Sequence, residues 1–279
     1  MRRLALRIVP ALLLTALLTI PAFAQDAVIG TLDRAPKPVG TEHPWYAQCQ
    51  LGSVCADAFR ACAGTQIALV NTGDLDDNLF QGEVTMQEIC GVLPYDRALA
   101  TATITPQQLC QLLEQSVSRV TLDPSTERVD EAASAYDGFC QISGFTLRYD
   151  ASAPLGERVL DVTLSDGTKL SRDDAAMQLT LCASRYLLDG GYGFPVTESV
   201  PLSFTQAEAL ADYVSAHRDL PEDDQKRIVV VGARQAEILG IAPKEMILVC
   251  CLLLFVPLVG VQTKMRRYRD EYGNVSNKF

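Results

Sequence analysis

The sequence predicts an α+β domain placed between an export signal and one membrane-spanning helix. Three observations point there. Helical and strand patterns are mixed without strict alternation, which favours segregated helices and sheet. The chain opens on a basic then apolar segment, and it closes on an uncharged run followed by a basic cluster.

The ends are read first because targeting segments carry no fold information. Arg2, Arg3 and Arg7 form a positive start, Ile8 to Ile20 is apolar, and Ala22-Phe23-Ala24 gives a small-x-small cleavage pattern. Residues 1–24 are therefore expected to be a cleaved signal, with an uncleaved anchor as the alternative. At the other end Met246 to Val261 carries no charge. As a helix that run measures ~24 Å, slightly short of a ~30 Å hydrocarbon core. Gln262 and Thr263 lengthen it, and Lys264, Arg266, Arg267 and Arg269 follow as a basic stop that should stay cytoplasmic. The expected order is signal 1–24, lead-in 25–44, body 45–232, linker 233–245, span 246–263 and tail 264–279. The expected location is the cell membrane, single-pass, with the body outside and the tail inside.

Within the body, Leu51 to Ala63 reads as a helix, with Leu51, Val54, Cys55, Ala58, Phe59 and Cys62 on one face. Ile67 to Val70 is a short apolar run ending in Asn71-Thr72-Gly73-Asp74, a buried strand delivering a loop. Thr85 with Glu88, Thr105 with Gln108 and Thr205 with Glu208 each fit a capping box at a helix start. Pro106 suits the first turn of its helix, and Pro94 keeps the helix after Thr85 brief. Phe145, Leu147 and Tyr149 alternate as in a strand, as do Leu160, Val162 and Leu164. Met177 to Leu181 and Ile228 to Val231 are further strand candidates, and polar Ser118 to Gly138 reads as a surface excursion.

Charge and cysteine usage bound the function. The chain has net charge -10; setting aside three arginines in the signal and a net +3 tail leaves a body near -16. Such a body repels nucleic acid and anionic membrane surfaces, so no nucleic-acid partner is expected. Cys49, Cys55, Cys62, Cys90, Cys110, Cys140 and Cys182 lie outside the span. An odd number cannot all pair, and none forms a C-x-x-C, so disulfides and buried free thiols both remain open.

Catalytic chemistry is poorly supplied. His43 and His217 are the only histidines, and two isolated imidazoles cannot build a dinuclear hydrolytic metal centre. No nucleophile elbow, zinc-protease or phosphate-loop motif is present, and no cofactor is implied. Asp74, Asp76, Asp77 and Asn78 fail the EF-hand pattern and read as a solvated acidic turn. Gly190-Gly191-Tyr192-Gly193-Phe194 is a glycine-rich loop near Tyr186, and Tyr95 lies in a Pro-Tyr loop; aromatics on such loops can stack a planar ligand.

These segments together resemble a known family. Asn71-Thr72-Gly73, Gly82-Glu83-Val84-Thr85 and Val92-Leu93-Pro94-Tyr95 resemble its N-G-G-x-x-R, G-x-I-T and V-L-P-F runs. Phe139 to Gly144 resembles F-L-Q-V-S-G. Tyr149-Asp150 with Ser152, Pro154, Gly156, Arg158 and Val159 resembles Y-D-x-S-x-P-x-G-x-R-V. The Gly190 loop resembles G-G-D-G-Y/F. In this order, over Pro44 to Gly232, the set is similar to the C-terminal domain of the 5'-nucleotidase and UDP-sugar hydrolase family. The catalytic metallophosphoesterase domain of that family has no counterpart in these motifs.

The resemblance implies a ligand site formed by Asn71, Gly73, Tyr95, Tyr186 and Tyr192. Tyr95 and Tyr186 fall where the family stacks a base between two Phe. Asn71 matches the loop Asn. Asp76 falls at a phosphate-binding Arg, a reversal of charge, and Asp74 stands where the family has Gly. The upstream phosphate Arg falls near Trp45. Tyr192 replaces the Asp that holds the ribose. The implied ligand is an uncharged planar, nucleoside-like molecule. The implied role is a non-catalytic binding or interaction module; the alternative is the nucleotide-recognition part of a split nucleotidase in nucleotide catabolism, with a separate catalytic or envelope protein as partner.

Overall fold

The computed structural model describes residues 27–220 and 226–233. The segments read as signal, span and tail lie outside the described residues. Among the described residues no helix is long and apolar enough to cross a membrane. In chain order the elements begin β1 (Val28–Leu32), α1 (Gln50–Ala63), β2 (Ile67–Asn71), β3 (Gly82–Thr85), α2 (Met86–Val92), β4 (Ala98–Ile104) and α3 (Pro106–Ser116). They continue α4 (Glu131–Ser134), β5 (Cys140–Ser143), β6 (Phe145–Asp150), β7 (Val159–Leu164), β8 (Leu179–Ser184), α5 (Arg185–Leu188), β9 (Val200–Thr205), α6 (Gln206–Ala216) and β10 (Ile228–Val231).

Local chemistry fixes the helix ends. At Thr85, Thr105 and Thr205 the side chain accepts from the backbone N–H three residues on, and Glu88, Gln108 and Glu208 reach back to the threonine N–H. Each box satisfies two orphan donors of α2, α3 and α6. α1 stops at Gly64, whose φ of 63° is left-handed and suits a residue without Cβ.

The central sheet runs β5-β2-β8-β4-β9. β2 and β8 are parallel, and the other neighbours are antiparallel. Both faces are covered, and the inner strand β2 accordingly reads as a continuous apolar run, buried at every position. On one face Ile67, Leu69, Leu179 and Leu181 pack with Leu109, Leu112 and Leu113 of α3 and with Phe145, Leu147 and Tyr149 of β6. On the other, Ala68, Val70 and Cys182 pack with Leu51 and Phe59 of α1, Ile89 of α2 and Leu210 and Val214 of α6. β6 belongs to a small sheet, β10-β6-β7, and β1 pairs with β3. The result is a mixed α/β body of three layers.

Four expectations change. β8 starts at Leu179 rather than Met177, because an Asp174 carboxylate oxygen accepts from the N–H groups of Ala176 and Met177 and holds a turn there. Leu160 is 45 % exposed, whereas Val162 and Leu164 are buried. The register jumps there, Arg148 facing Asp161 and Tyr149 facing Val159, so Leu160 is the extra residue of a bulge. The excursion 118–138 is partly structured: Leu122 bridges Val129, and α4 buries Ser134 completely. Part of the stretch read as a lead-in forms β1.

The seven cysteines named above are all free, and five of them are buried. Burial pushes the Cys49 and Cys182 thiols up to about 12, where they behave as small apolar groups.

Candidate functional site

Topology gathers three loops at one edge of the central sheet. β2 and β8 are parallel, so both deliver their C-terminal ends to the same edge. β4 runs antiparallel to β8, and the chain entering it therefore arrives at that edge too. Asn71 ends β2 and Gly73 lies on the loop after it, Tyr95 lies on the turn before β4, and the segment after β8 carries Tyr186, in α5, and Tyr192 just beyond it. All five residues expected from the sequence thus lie at one end of one sheet.

The loop after β2 is held rigidly. The Thr72 N–H donates to the Phe139 carbonyl at 2.7 Å and the Gly73 N–H to the Asp137 carbonyl at 2.8 Å. The Thr72 hydroxyl lies 3.0 Å from the Pro44 carbonyl and 2.6 Å from the Phe139 carbonyl. A Cβ at Gly73 would collide with Asp137 and with the Tyr192 hydroxyl, so a side chain is excluded there. Asn71 is buried, and neither polar atom of its amide has a hydrogen-bond partner. Such a group costs free energy when left unsatisfied, and it marks a place where a water or a ligand group would be held.

Tyr95 and Tyr186 are exposed, at 61 % and 40 %. Their faces are not vacant. The Arg97 guanidinium carbon lies 4.8 Å from the Tyr95 ring centre and 3.9 Å from that of Tyr186. Cation–π contact of this kind contributes ~0.5–2 kcal/mol per pair, more as water is excluded. Arg97 Nε also donates to Asp74 Oδ1 at 3.0 Å. Gln206 closes the ring: its side-chain N–H donates to Asp74 Oδ2 at 2.8 Å, and its side-chain oxygen accepts from the Arg97 N–H at 3.1 Å. Burial alone would lower the Arg97 pKa, but the bond to Asp74 and its charge outweigh this and raise it.

Tyr192 completes the edge. It has a left-handed φ of 55° and sits edge-on to Tyr186 at 5.3 Å and to Tyr136 at 6.3 Å. The Tyr136 hydroxyl donates to its carbonyl at 2.6 Å, and the Gln115 amide donates to the same carbonyl at 3.1 Å. Two bonds on one oxygen hold a strained non-glycine backbone in place. Burial, then the nearby Asp74 charge, pushes the Tyr192 hydroxyl up to about 12.

The acidic turn is divided, contrary to its reading as one solvated cluster. Asp74 is fully buried and ion-paired, while Asp76 and Asp77 are exposed. A cation, Arg97, therefore stands within the site where sequence reading found none. Arg97, Gln206 and Tyr136 were all missed. The only signal for Arg97 was its place two residues after Tyr95; Gln206 and Tyr136 come from distant segments and gave none.

The described residues contain no group of three or more His, Cys, Asp or Glu able to hold a metal. His43 lies 2.9 Å from Glu131 on the surface, and His217 stacks on Tyr213. These residues do not fit a dinuclear metal centre.

Comparison with known proteins places this geometry. Residues 28–199 match the family model for the 5'-nucleotidase C-terminal domain. A trifunctional nucleotide phosphoesterase of Bacillus subtilis is 26% identical over 163 residues, 56% of this chain and 10% of that protein. A 5'-nucleotidase of Vibrio parahaemolyticus is 25% identical over 176 residues, 62% of this chain and 28% of that protein. The chain thus matches under a third of the length of either relative. The crystal structure of a 5'-nucleotidase precursor from Thermus thermophilus shares the fold, with TM-score 0.63, 24% identity, and coverage of 80% of this chain and 42% of that one. The chain belongs to the 5'-nucleotidase C-terminal domain family.

Proposed function

We propose that this chain is a membrane-anchored, extracytoplasmic binding or interaction module that performs no hydrolysis itself. The observation that carries this reading is the exposed tyrosine pair at the sheet edge, set on segments that a buried polar network holds in place. That is the construction of a recognition surface. The chemistry for hydrolysis is not gathered with it, since His43 and His217 are each engaged in surface contacts. A nucleoside-like ligand suits the tyrosine faces; the charge of Arg97 is already balanced by Asp74, and the exposed Asp76 and Asp77 on the loop after β2 disfavour a phosphate. The names of the relatives speak of nucleotides, which share the planar base but carry a phosphate. The membrane location rests on the basic-flanked apolar run after Met246.

Two experiments test this. The full-length chain is incubated with AMP or UDP-glucose and divalent metals; no phosphate release is expected. Metal-dependent turnover that survives repurification and disappears on mutating a body residue would overturn the non-catalytic reading. Protease added to intact cells should remove the body and spare the tail after Lys264, and a tail cut from outside would refute the orientation.

The unsatisfied Asn71 amide favours a second reading, the recognition half of a two-chain nucleotidase. In that case the chain should co-purify with a metallophosphoesterase, and AMP should be cleaved by the pair and by neither protein alone.

A further inference from the structure

We propose that Arg97 is the specificity-determining residue of the tyrosine site: its guanidinium fills the space over Tyr95 and Tyr186 and acts as a gate against planar rings. The inference rests on the tyrosine pair being the ligand site. A guanidinium is flat and stacks on an aromatic face much as a ring does. With its carbon 3.9 Å from one ring centre and 4.8 Å from the other, it takes the position that a stacked ligand would need. A ring reaches both tyrosines only after Arg97 moves away.

The gate is latched. Asp74 is fully buried, and its two carboxylate oxygens are bonded to Arg97 and Gln206. Gln206 is itself fully buried, and both ends of its amide are in use. The backbone of Arg97 is pinned as well, since its carbonyl accepts from the Gln206 N–H at 2.9 Å. If Arg97 swings out, Asp74 keeps one hydrogen bond and loses its counter-charge in a dry setting, which strongly disfavours the open form. The tyrosines stay exposed around the guanidinium, so its departure would uncover an accessible site. A ligand that selects a rarely populated open form binds more weakly in proportion to that population.

Arg97→Ala opens the gate but strands Asp74, so the double variant Arg97→Ala/Asp74→Asn is tested beside it. Adenosine is titrated calorimetrically into the full-length wild-type chain and both variants in detergent, with thermal melts to confirm folding. Both variants should bind at least ~10-fold tighter than wild type, the factor for removing a gate closed nine-tenths of the time or more. Adding Tyr95→Ala to the double variant should abolish the gain. Equal affinity in wild type and variants would overturn the gate and leave the tyrosine site standing. Tighter binding of AMP than adenosine by wild type, lost in Arg97→Ala, would also overturn it, because Arg97 would then be a phosphate clamp. If folded variants bind no adenosine at millimolar concentration, the tyrosine-site reading fails and takes the gate with it. The wild type gives a readout independent of any variant: adenosine binding should speed solvent exchange of the Arg97 Nε–H, and binding without that change would overturn the proposal.

Discussion

Two arginine–aspartate pairs in this molecule use the same chemistry for different ends. Arg227 meets Asp57 through both terminal nitrogens, each 2.8 Å from its own carboxylate oxygen. One of those nitrogens also donates to the Ile142 carbonyl at 3.0 Å, and the Ser143 hydroxyl donates to Asp57. Both side chains are about 15 % exposed, and the pair ties α1 and β5 to the residue that enters β10. Arg97 meets Asp74 through Nε alone, at 3.0 Å, and its guanidinium carbon lies over two tyrosine faces. A two-pronged pair with saturated acceptors serves architecture. A one-pronged pair whose cation rests on exposed rings leaves an interaction that a ligand can contest.

The largest effect should come from breaking the architectural pair. Asp57→Ala leaves Arg227 charged in a largely buried setting and should cost roughly 3–5 kcal/mol of stability. Urea denaturation reads the loss, and adenosine affinity, where the chain folds, should stay at the wild-type value. A change in affinity comparable to that of an Arg97 variant would erase the distinction between the two pairs.

Arg97→Ala should destabilise by ~3 kcal/mol, the low end of the same range, because Asp74 keeps its bond to Gln206. The double change with Asp74→Asn should recover most of that, since no charge then remains buried. Recovery measured in the same denaturation series would show that the site pair is dispensable for folding. No recovery would assign it to architecture after all.

Tyr95→Ala should leave stability near wild type, since the ring is 61 % exposed, and weaken nucleoside binding by ~1–3 kcal/mol, the scale of one lost stack. Asp76→Arg should raise affinity for the phosphorylated ligand more than for the nucleoside, because it reverses the charge at an exposed position of the same loop. Calorimetry on the two variants checks both statements.

Alkaline pH gives the most diffuse effect, since it is spread over several buried thiols. Cys49 and Cys182 ionise near 9 in the unfolded chain and, because of burial, at about 12 in the folded one. Above 9 the unfolded state therefore holds fewer protons, and stability falls as pH rises from 9 towards 12. Cys49→Ala should flatten that slope, as urea midpoints across the window would show. An unchanged slope would remove Cys49 from its cause.

The contrast between the pairs also explains what the sequence could reveal. Capping boxes are local, and Thr85, Thr105 and Thr205 each form the one read from three-residue spacing. α1 and β6 were legible from period: β6 buries alternate side chains, and the apolar stripe of α1 faces the core although its first turns are buried all round. β4 was not, since its alternating Ala and Thr carry little apolar signal. β9 was not either, since Pro201 sits in an edge strand whose side chains are mostly exposed. At the site, the aromatic residues could be found from loop motifs, but the Asp74–Arg97–Gln206 network could not. It joins residues up to 132 positions apart, and a buried Asp looks the same in sequence as the exposed Asp76 and Asp77 beside it.

The most direct test of the occupied tyrosine site is the NMR spectrum of the arginine side chains in the ligand-free wild type. Arg97 should show a slowly exchanging Nε–H, bonded to Asp74, and side-chain protons shifted upfield by the Tyr95 and Tyr186 rings. Tyr186→Leu should remove most of that shift while the Arg227 signal stays in place. A rapidly exchanging Arg97 signal at its free-chain position would contradict a guanidinium resting on the tyrosines.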